Sequence, residues 1–300
     1  MKKVLLIGKN GQLGSQLAKD ASVFGLEMFP FDKEELNITD FAKVKENIEK
    51  IKPDIVINTA AYQVISLCEQ NPLAAMAVNF IAVANLARIC KEHHSMFVTY
   101  SSDYVFDGTK GSPNGEDDAP SPLQMYGLSK LAGEYAALQV HPDGAFVIRT
   151  CGIYGGKKGS PEKGNFVLNI MKEAQDKPAP AKASAGEEVI EVSCEQIVSP
   201  TYAVDLSRST LQLITGGANP GIYHLVNEGV CSWYEFAKEI FTLANIDKEL
   251  KPKDRSGQGF ADSINRPIFS ALKNTKAKAL GIQLPSWKEG LSTYFNFLKE

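Results

Sequence analysis

Four apolar residues, Val4-Leu5-Leu6-Ile7, run into Gly8-Lys9-Asn10-Gly11-Gln12-Leu13-Gly14 and then into the helical spacing of Leu17, Ala18 and Ala21. A buried strand passing through a glycine turn into a helix constrains the fold more than any other feature of this chain. It is the opening unit of an α/β sheet. The turn also has a chemical meaning. Its glycines allow a tight bend and close backbone approach, and the free N–H groups of the helix face an anion. The G-x-x-G-x-x-G spacing of Gly8, Gly11 and Gly14, with Asn10, Gln12 and Leu13 between them, therefore makes a diphosphate site. Ligand-free turn glycines are the alternative. The next strand, Met28-Phe29-Pro30-Phe31, ends in Asp32, eighteen residues past Gly14. A carboxylate there can accept hydrogen bonds from ribose hydroxyls, unless it is an ordinary solvated strand-end acid.

Strands and helices keep alternating through the first half. Asp54-Ile55-Val56-Ile57-Asn58 is followed by a helix near Pro72–Glu92, then Met96-Phe97-Val98-Thr99-Tyr100, a helix holding Tyr126, and the strand Ala145-Phe146-Val147-Ile148-Arg149. Past Thr150 the rhythm breaks. Residues 155–164 read as a Gly/Lys loop, 178–186 as a flexible Ala/Pro/Lys segment, 189–192 as a short strand, and 232–244 and 286–299 as helices. The pattern predicts an α/β protein with a Rossmann-type doubly wound parallel sheet over 1–150 and a return segment near 200–226. A smaller, mixed α/β substrate-binding unit would occupy most of 151–300.

Two further elements carry chemistry. Ser121 and Gln124 have capping-box spacing and Pro122 suits the first helical position, so Tyr126 and Lys130 fall on one face of the helix they start. A phenol ionises near pH 10, and acid–base work near neutrality needs a shift of roughly 2–3 units, which a neighbouring ammonium can supply. Alone, the spacing is also that of an ordinary amphipathic helix. Ser102, at the end of the strand Tyr100-Ser101-Ser102, would stand where the glycine turn and the Tyr126 helix converge, off the carboxyl ends of the strands. A polarising hydroxyl, a proton donor and a pKa tuner form the set that reduces a ketone while a nicotinamide delivers hydride. A loop-capping serine is the alternative for Ser102.

Composition narrows the class. A net charge of −3 leaves no electrostatic footprint for nucleic acid. No apolar run is expected to approach the roughly 20 residues of a membrane span, and no signal peptide precedes Val4, which reads as a cytoplasmic enzyme with no membrane partner. The five cysteines, Cys68, Cys90, Cys151, Cys194 and Cys231, form no C-x-x-C pair, and the four histidines show no metal-ligand spacing. Reduced thiols, no disulfide and no metal are expected.

Taken together, Gly8-x-x-Gly11-Gln12-Leu13-Gly14, Asn58-Thr59-Ala60-Ala61-Tyr62, Ser101-Ser102-Asp103-Tyr104-Val105-Phe106-Asp107-Gly108, Tyr126-Gly127-x-Ser129-Lys130, Ser199-Pro200-Thr201-Tyr202-Ala203-x-Asp205-Leu206 and Arg266-Pro267-x-x-Ser270-x-Leu272 make the chain resemble the dTDP-4-dehydrorhamnose reductase family. That family is a branch of the extended short-chain dehydrogenases/reductases, and the resemblance runs from Met1 to about Trp287. It implies NADH- or NADPH-dependent reduction of the C4 ketone of a nucleotide-linked 6-deoxy-4-keto-hexose. Tyr126 would protonate the carbonyl oxygen, Lys130 would hold the nicotinamide ribose and tune Tyr126, and Ser102, usually threonine in the family, would bind the substrate oxygen. Ala60, Ala61 and Tyr62 would line the cofactor, with Asn79 behind the active site. On the sugar side the resemblance implies Asp103, Tyr104, Val105, Gly152, Asn165 and Arg266, the last reaching the diphosphate or else capping a turn. It is compatible with a homodimer.

Several positions depart from the family pattern. Ser66 replaces an acid, Gly152 stands where many relatives place a tryptophan against the sugar, Val198 replaces a frequent glycine, and 178–186 is longer than usual. The cofactor and catalytic sets are intact while the sugar pocket is altered. A vacant space beside Gly152 is expected, unless 155–164 or 178–186 fills it. Lys33 is expected to offset the charge of Asp32, so that both cofactors are used. Two other functions stay open: an epimerase with tightly bound NAD, and a non-catalytic subunit like the regulatory chain of methionine adenosyltransferase. A dehydratase normally carries Asp-Glu beside the serine or threonine, and here the pair is Asp103-Tyr104.

Overall fold

In a computed structural model of the chain, residues 1–157, 164–176, 189–254 and 264–300 are described. Six strands form the central sheet: β1 (Lys2–Ile7), β2 (Leu26–Phe31), β3 (Ile55–Asn58), β4 (Met96–Ser102), β5 (Ala145–Thr150) and β6 (Gly221–His224). Every neighbouring pair is parallel, in the order β6-β5-β4-β3-β1-β2. The unbroken apolar run of β1 follows from burial on both faces. Val4 and Leu6 enter one core with Leu13, Leu17 and Leu206, while Leu5 and Ile7 enter the other with Ile48, Val83 and Leu86. At the edge, β2 carries Pro30, which an edge strand accommodates because its missing N–H has no second neighbour to serve.

The chain returns to this sheet after residue 200. Helix Ala203–Thr215 packs beside helix Gln12–Asp20, joined by a buried hydrogen bond from Ser207 Oγ to Asp20 Oδ2 of 2.7 Å, and β6 follows it into the sheet. The remaining C-terminal segments build a separate apolar core from Tyr154, Val167, Ile170, Phe236, Ile240, Trp287, Leu291 and Tyr294. The switch in strand order falls between β1 and β3, so the Gly8 turn and the residues after Asn58 open together at the carboxyl edge.

The helix Pro72–Glu92, which passes through a π-helical turn at Ala77–Ile81, corrects one expectation. With 21 residues it meets the length and hydropathy of a membrane span. In the fold its Val83, Leu86, Ala87, Ile89 and Cys90 pack on the sheet instead. The 178–186 segment and most of the 155–164 loop lie outside the described residues.

Candidate active site

The glycine turn is closed so tightly that side chains are excluded. Gly8 has φ +94°, and a Cβ on it would meet Thr59 Oγ1 at 2.4 Å; one on Gly14 would meet Gly8 O at 2.1 Å. Gly8 N and Lys9 N both donate to Phe31 O, at 2.8 and 3.0 Å, which stitches the turn to the end of β2. No side chain caps helix Gln12–Asp20 at Gly11. Its first N–H groups are therefore open to an anion, and these residues fit a dinucleotide. Leu13, expected at the cofactor, sends its side chain into the sheet core, so only its backbone is available there. Gln12 turns toward the second half of the chain, Nε2 donating to Ile153 O at 3.4 Å.

Asp32 ends β2 as expected, in an exposed turn. Its Oδ1 accepts from Glu34 N and Glu35 N, both at 3.0 Å, and Oδ2 accepts from Asn10 Nδ2 at 3.3 Å. The hydrogen bond from the Glu35 backbone, and then that from Glu34, holds its carboxyl below the usual range. The cation beside it is Lys9 of the glycine turn, 3.7 Å from Asp32 Oδ2 and 2.6 Å from Glu35 Oε2. This corrects the assignment of that role to Lys33.

Beyond β3, Ala60 N donates to Asn58 Oδ1 at 3.1 Å. Asn79, on the π-helical turn, clamps the Tyr62 backbone: Oδ1 accepts from Tyr62 N at 2.8 Å and Nδ2 donates to Tyr62 O at 2.9 Å. Its Nδ2 also donates to Ser129 Oγ at 3.0 Å. Asn79 thus braces the Ala60–Tyr62 loop against the Tyr126 helix, every polar atom of its side chain spent on protein.

That helix spans Met125–Val140 and starts later than the capping-box spacing implies. Ser121 is tied back to Val105 O, and Gln124 is the N-cap, its Oε1 accepting from Gly127 N at 2.8 Å. Met125 N donates to Glu69 Oε1 at 2.6 Å. The delay has a packing cause. Gly127 lies against the Tyr104 carbonyl, where a Cβ would sit 2.1 Å away, and that contact decides where the first turn docks. Tyr126 and Lys130 remain on one face, Lys130 buried and Tyr126 half-buried. Burial, then the charge of Asp103, pushes the Tyr126 phenol up, opposite in direction to the expected tuning, while the Ser102 hydroxyl beside it works the other way. Burial pulls Lys130 down to about 8, with Glu134 opposing. Among the described residues no group stands at hydrogen-bond distance from the Lys130 ammonium, which fits a charge reserved for a ligand hydroxyl. The Tyr104 and Tyr126 rings meet edge to face, centroids 6.0 Å apart.

Ser102 Oγ accepts from Tyr104 N at 3.2 Å and lies 2.9 Å from Asp103 Oδ1. Asp103, expected on the sugar side, points inward: Ser270 Oγ donates to its Oδ2 at 2.6 Å and Cys151 Sγ at 3.0 Å. The Val105 side chain is likewise enclosed, among Phe106, Leu131 and Cys151. Asn165 is taken up as a structural cap, accepting from Leu168 N at 2.9 Å and donating to Gly155 O and Tyr294 OH. Arg266 is half-buried, and its charge is felt at Tyr104.

Gly152 brings the largest correction. Its φ is +52°, and a Cβ there would meet the Trp233 ring at 3.1 Å and Pro200 Cα at 3.3 Å. The space beside Gly152 is filled by Trp233, which packs on Phe166 with ring centroids 4.6 Å apart. Thr59, Lys9, Cys151, Trp233 and Ser270 are the site residues that sequence reasoning passed over. Lys9, Thr59, Cys151 and Ser270 stand within a few residues of Gly8, Asn58, Gly152 and Arg266, so closeness in sequence was a usable signal; Trp233 has no such neighbour.

Among known proteins, the model of the RmlD substrate binding domain family matches residues 1–299. The spore coat polysaccharide biosynthesis protein SpsK of Bacillus subtilis is 33% identical over 98% of this chain and 97% of its own. The dTDP-4-dehydrorhamnose reductase of Mycolicibacterium smegmatis is 32% identical over 96% of this chain and 84% of its own. A crystal structure of dTDP-4-dehydrorhamnose reductase from Bacillus anthracis, in complex with NADP, superposes with a TM-score of 0.88 at 33% identity, covering 99% of each chain.

Proposed function

Because the chain belongs to the RmlD substrate binding domain family, we propose that it is an NAD(P)H-dependent oxidoreductase that reduces the C4 ketone of a dTDP-linked 6-deoxy-4-keto-hexose. The observation that carries this reading is the Ser102 hydroxyl beside the Tyr126 phenol, with buried Lys130 on the same helical face, in a sheet whose first turn leaves its helix N-terminus uncapped. NAD(P)H supplies the hydride when bound. Tyr126, kept protonated by burial, gives its phenolic proton to the ketone oxygen as that oxygen becomes an alkoxide. Lys130 holds a cofactor ribose and steadies the phenolate left behind. Ser102 donates to the same ketone oxygen, and Arg266 reaches the sugar nucleotide's diphosphate. Residues 1–150 with 200–226 serve the dinucleotide, and the rest of 151–300 serves the sugar, with Trp233 lining its side of the cleft. A cytoplasmic homodimer completes the reading; exposed Leu73, Ile81, Leu128 and Tyr135 on neighbouring helices favour self-association.

The decisive experiment offers NADH and NADPH, with a panel of nucleotide-linked 4-keto sugars, to the purified protein. Oxidation of both cofactors that depends on a dTDP-linked 4-keto-6-deoxy sugar is expected. NAD that stays bound through purification, with epimerised product and no net oxidation, would replace this reading with an epimerase.

A further inference from the structure

Asp103 is fully enclosed, and its three side-chain partners are two hydroxyls and a thiol: Ser102 Oγ at 2.9 Å, Ser270 Oγ at 2.6 Å and Cys151 Sγ at 3.0 Å. No lysine, arginine or histidine among the described residues forms an ion pair with it. The hydroxyls, the thiol and the backbone that point at it ease the anion, but burial with no counter-charge outweighs them and favours the neutral form.

The protonation state decides what Ser102 can do. A serine hydroxyl has one proton to donate and two lone pairs with which to accept. One lone pair is used by Tyr104 N, at 3.2 Å. If Asp103 is a carboxylate, the single serine proton goes to Asp103 Oδ1 and none is left for a ketone. If Asp103 is a carboxylic acid, its O–H can fill the second lone pair of Ser102, whose own proton then points outward. Oδ2 still accepts from Ser270 and Cys151, and Ser102 keeps its proton for the Tyr126 phenol beside it or for the ketone.

We propose that Asp103 is the positioning residue for Ser102 and acts as a neutral acid, donating to Ser102 Oγ so that the serine proton is turned toward the ketone oxygen. Asp103 keeps its own proton throughout, and no bond to it forms or breaks. The inference rests on the ketoreductase reading above and deepens it. It also links the substrate side to the catalytic serine, since Ser270 lies on the same short segment as Arg266. The titratable groups that feel Asp103 are Tyr104 next in sequence, Tyr126 on the Met125–Val140 helix and Cys151 after β5; Lys130 and Glu134 lie further along that helix, and Arg266 acts on Tyr104. Burial pushes Tyr104, Tyr126 and Cys151 up, so they stay neutral near physiological pH. Burial also pushes Asp103 up, in agreement with the geometry.

The test compares Asp103→Asn with Asp103→Ala in the full chain. The asparagine amide can donate to Ser102 while its carbonyl accepts from Ser270 and Cys151, which mimics the neutral acid. Its kcat should stay within about threefold of wild type, whereas alanine should lose about tenfold or more, as when a donor to a developing oxyanion is lost. Wild-type kcat should fall as pH rises and the carboxylate reclaims the serine proton. Asp103→Asn should lack that limb and keep the one due to Lys130. Ser270→Ala, which removes a donor to the carboxylate, should move the Asp103 limb to higher pH. This milder variant decides the matter if asparagine does not fold. The proposal is overturned if folded, NADPH-binding Asp103→Asn is as impaired as Asp103→Ala, if its pH profile equals wild type, or if Ser270→Ala leaves the limb unmoved. Absence of ketone-dependent oxidation in wild type would instead sink the ketoreductase reading itself.

Discussion

Lys130 shows how one enclosed side chain carries both a cost and a use. Desolvation brings its pKa from 10.5 to about 8, so the native protein gives up this proton earlier than the unfolded chain does. In that window the unfolded state binds more protons and stability rises with pH, while below about 8 the folded state carries the full cost of the buried ammonium. Lys130→Met should therefore unfold at higher temperature at pH 7, a gain on the order of 1–3 kcal/mol, while losing turnover and cofactor affinity. A variant that is both less stable and fully active would contradict the assignment. In wild type, kcat/KM should decline as pH rises through about 8. At the end of β2, Lys9 is poised between Asp32 and Glu35, and a 2′-phosphate bound beside Asp32 would draw it from Glu35. Fluorescence titration of Lys9→Met should show NADPH binding weakened about tenfold and NADH binding changed less than about threefold. Equal weakening of both would leave Lys9 no part in cofactor choice.

Among the elements, the Met125–Val140 helix depends most on exact docking. Its first turn rests on the Tyr104 carbonyl through Gly127, and its middle rests on the Asn79 carbonyl through Gly133, where a Cβ would sit 2.2 Å away. Both obstacles are backbone atoms, so neither can rotate aside. Gly127→Ala should shift Tyr126 and cut kcat more than about tenfold, an effect well beyond the roughly 1 kcal/mol by which alanine favours a helix over glycine. Gly115→Ala is the matched control, because its nearest atom would lie 3.7 Å away. Steady-state rates of the two variants, read beside their melting temperatures, separate docking from general loss of stability. The same element shows why its start was misread. Capping-box spacing belongs to Ser121 and Gln124, but the Ser121 backbone is drawn to Val105, and Gln124 caps the helix alone.

Across the whole molecule, a buried ion pair fastens the Met125–Val140 helix to the sheet. Arg149 of β5 donates through Nε to Glu134 Oε1 at 2.9 Å and through Nη2 to Oε2 at 2.6 Å, with its guanidinium 5.1 Å from the Phe106 ring centroid. His224 of β6 stands in the same layer, held neutral by burial and by Arg149, its pKa lowered to about 3. Arg149→Met would leave Glu134 buried without a partner, at a cost of about 3–5 kcal/mol, whereas Arg149→Met with Glu134→Leu should recover most of it. Denaturant unfolding of the two proteins decides this, and a loss under about 1 kcal/mol in the single variant would mean that water reaches the pair. At this scale the division between chain and fold is plain. The strand at Val4 to Ile7, the turn from Gly8 into a helix, the places of Asp32 and Ser102 at strand ends and the shared helical face of Tyr126 and Lys130 were legible in the sequence, because strand period, turn chemistry and helical spacing act over a few residues. Local rules of that range also determined the parallel sheet. What sits beside Gly152, which cation meets Asp32, and what encloses Asp103 were decided only by tertiary packing. Trp233 and Ser270 reach the site from residues far along the chain, and such contacts follow from how the separate cores dock rather than from any neighbour in sequence.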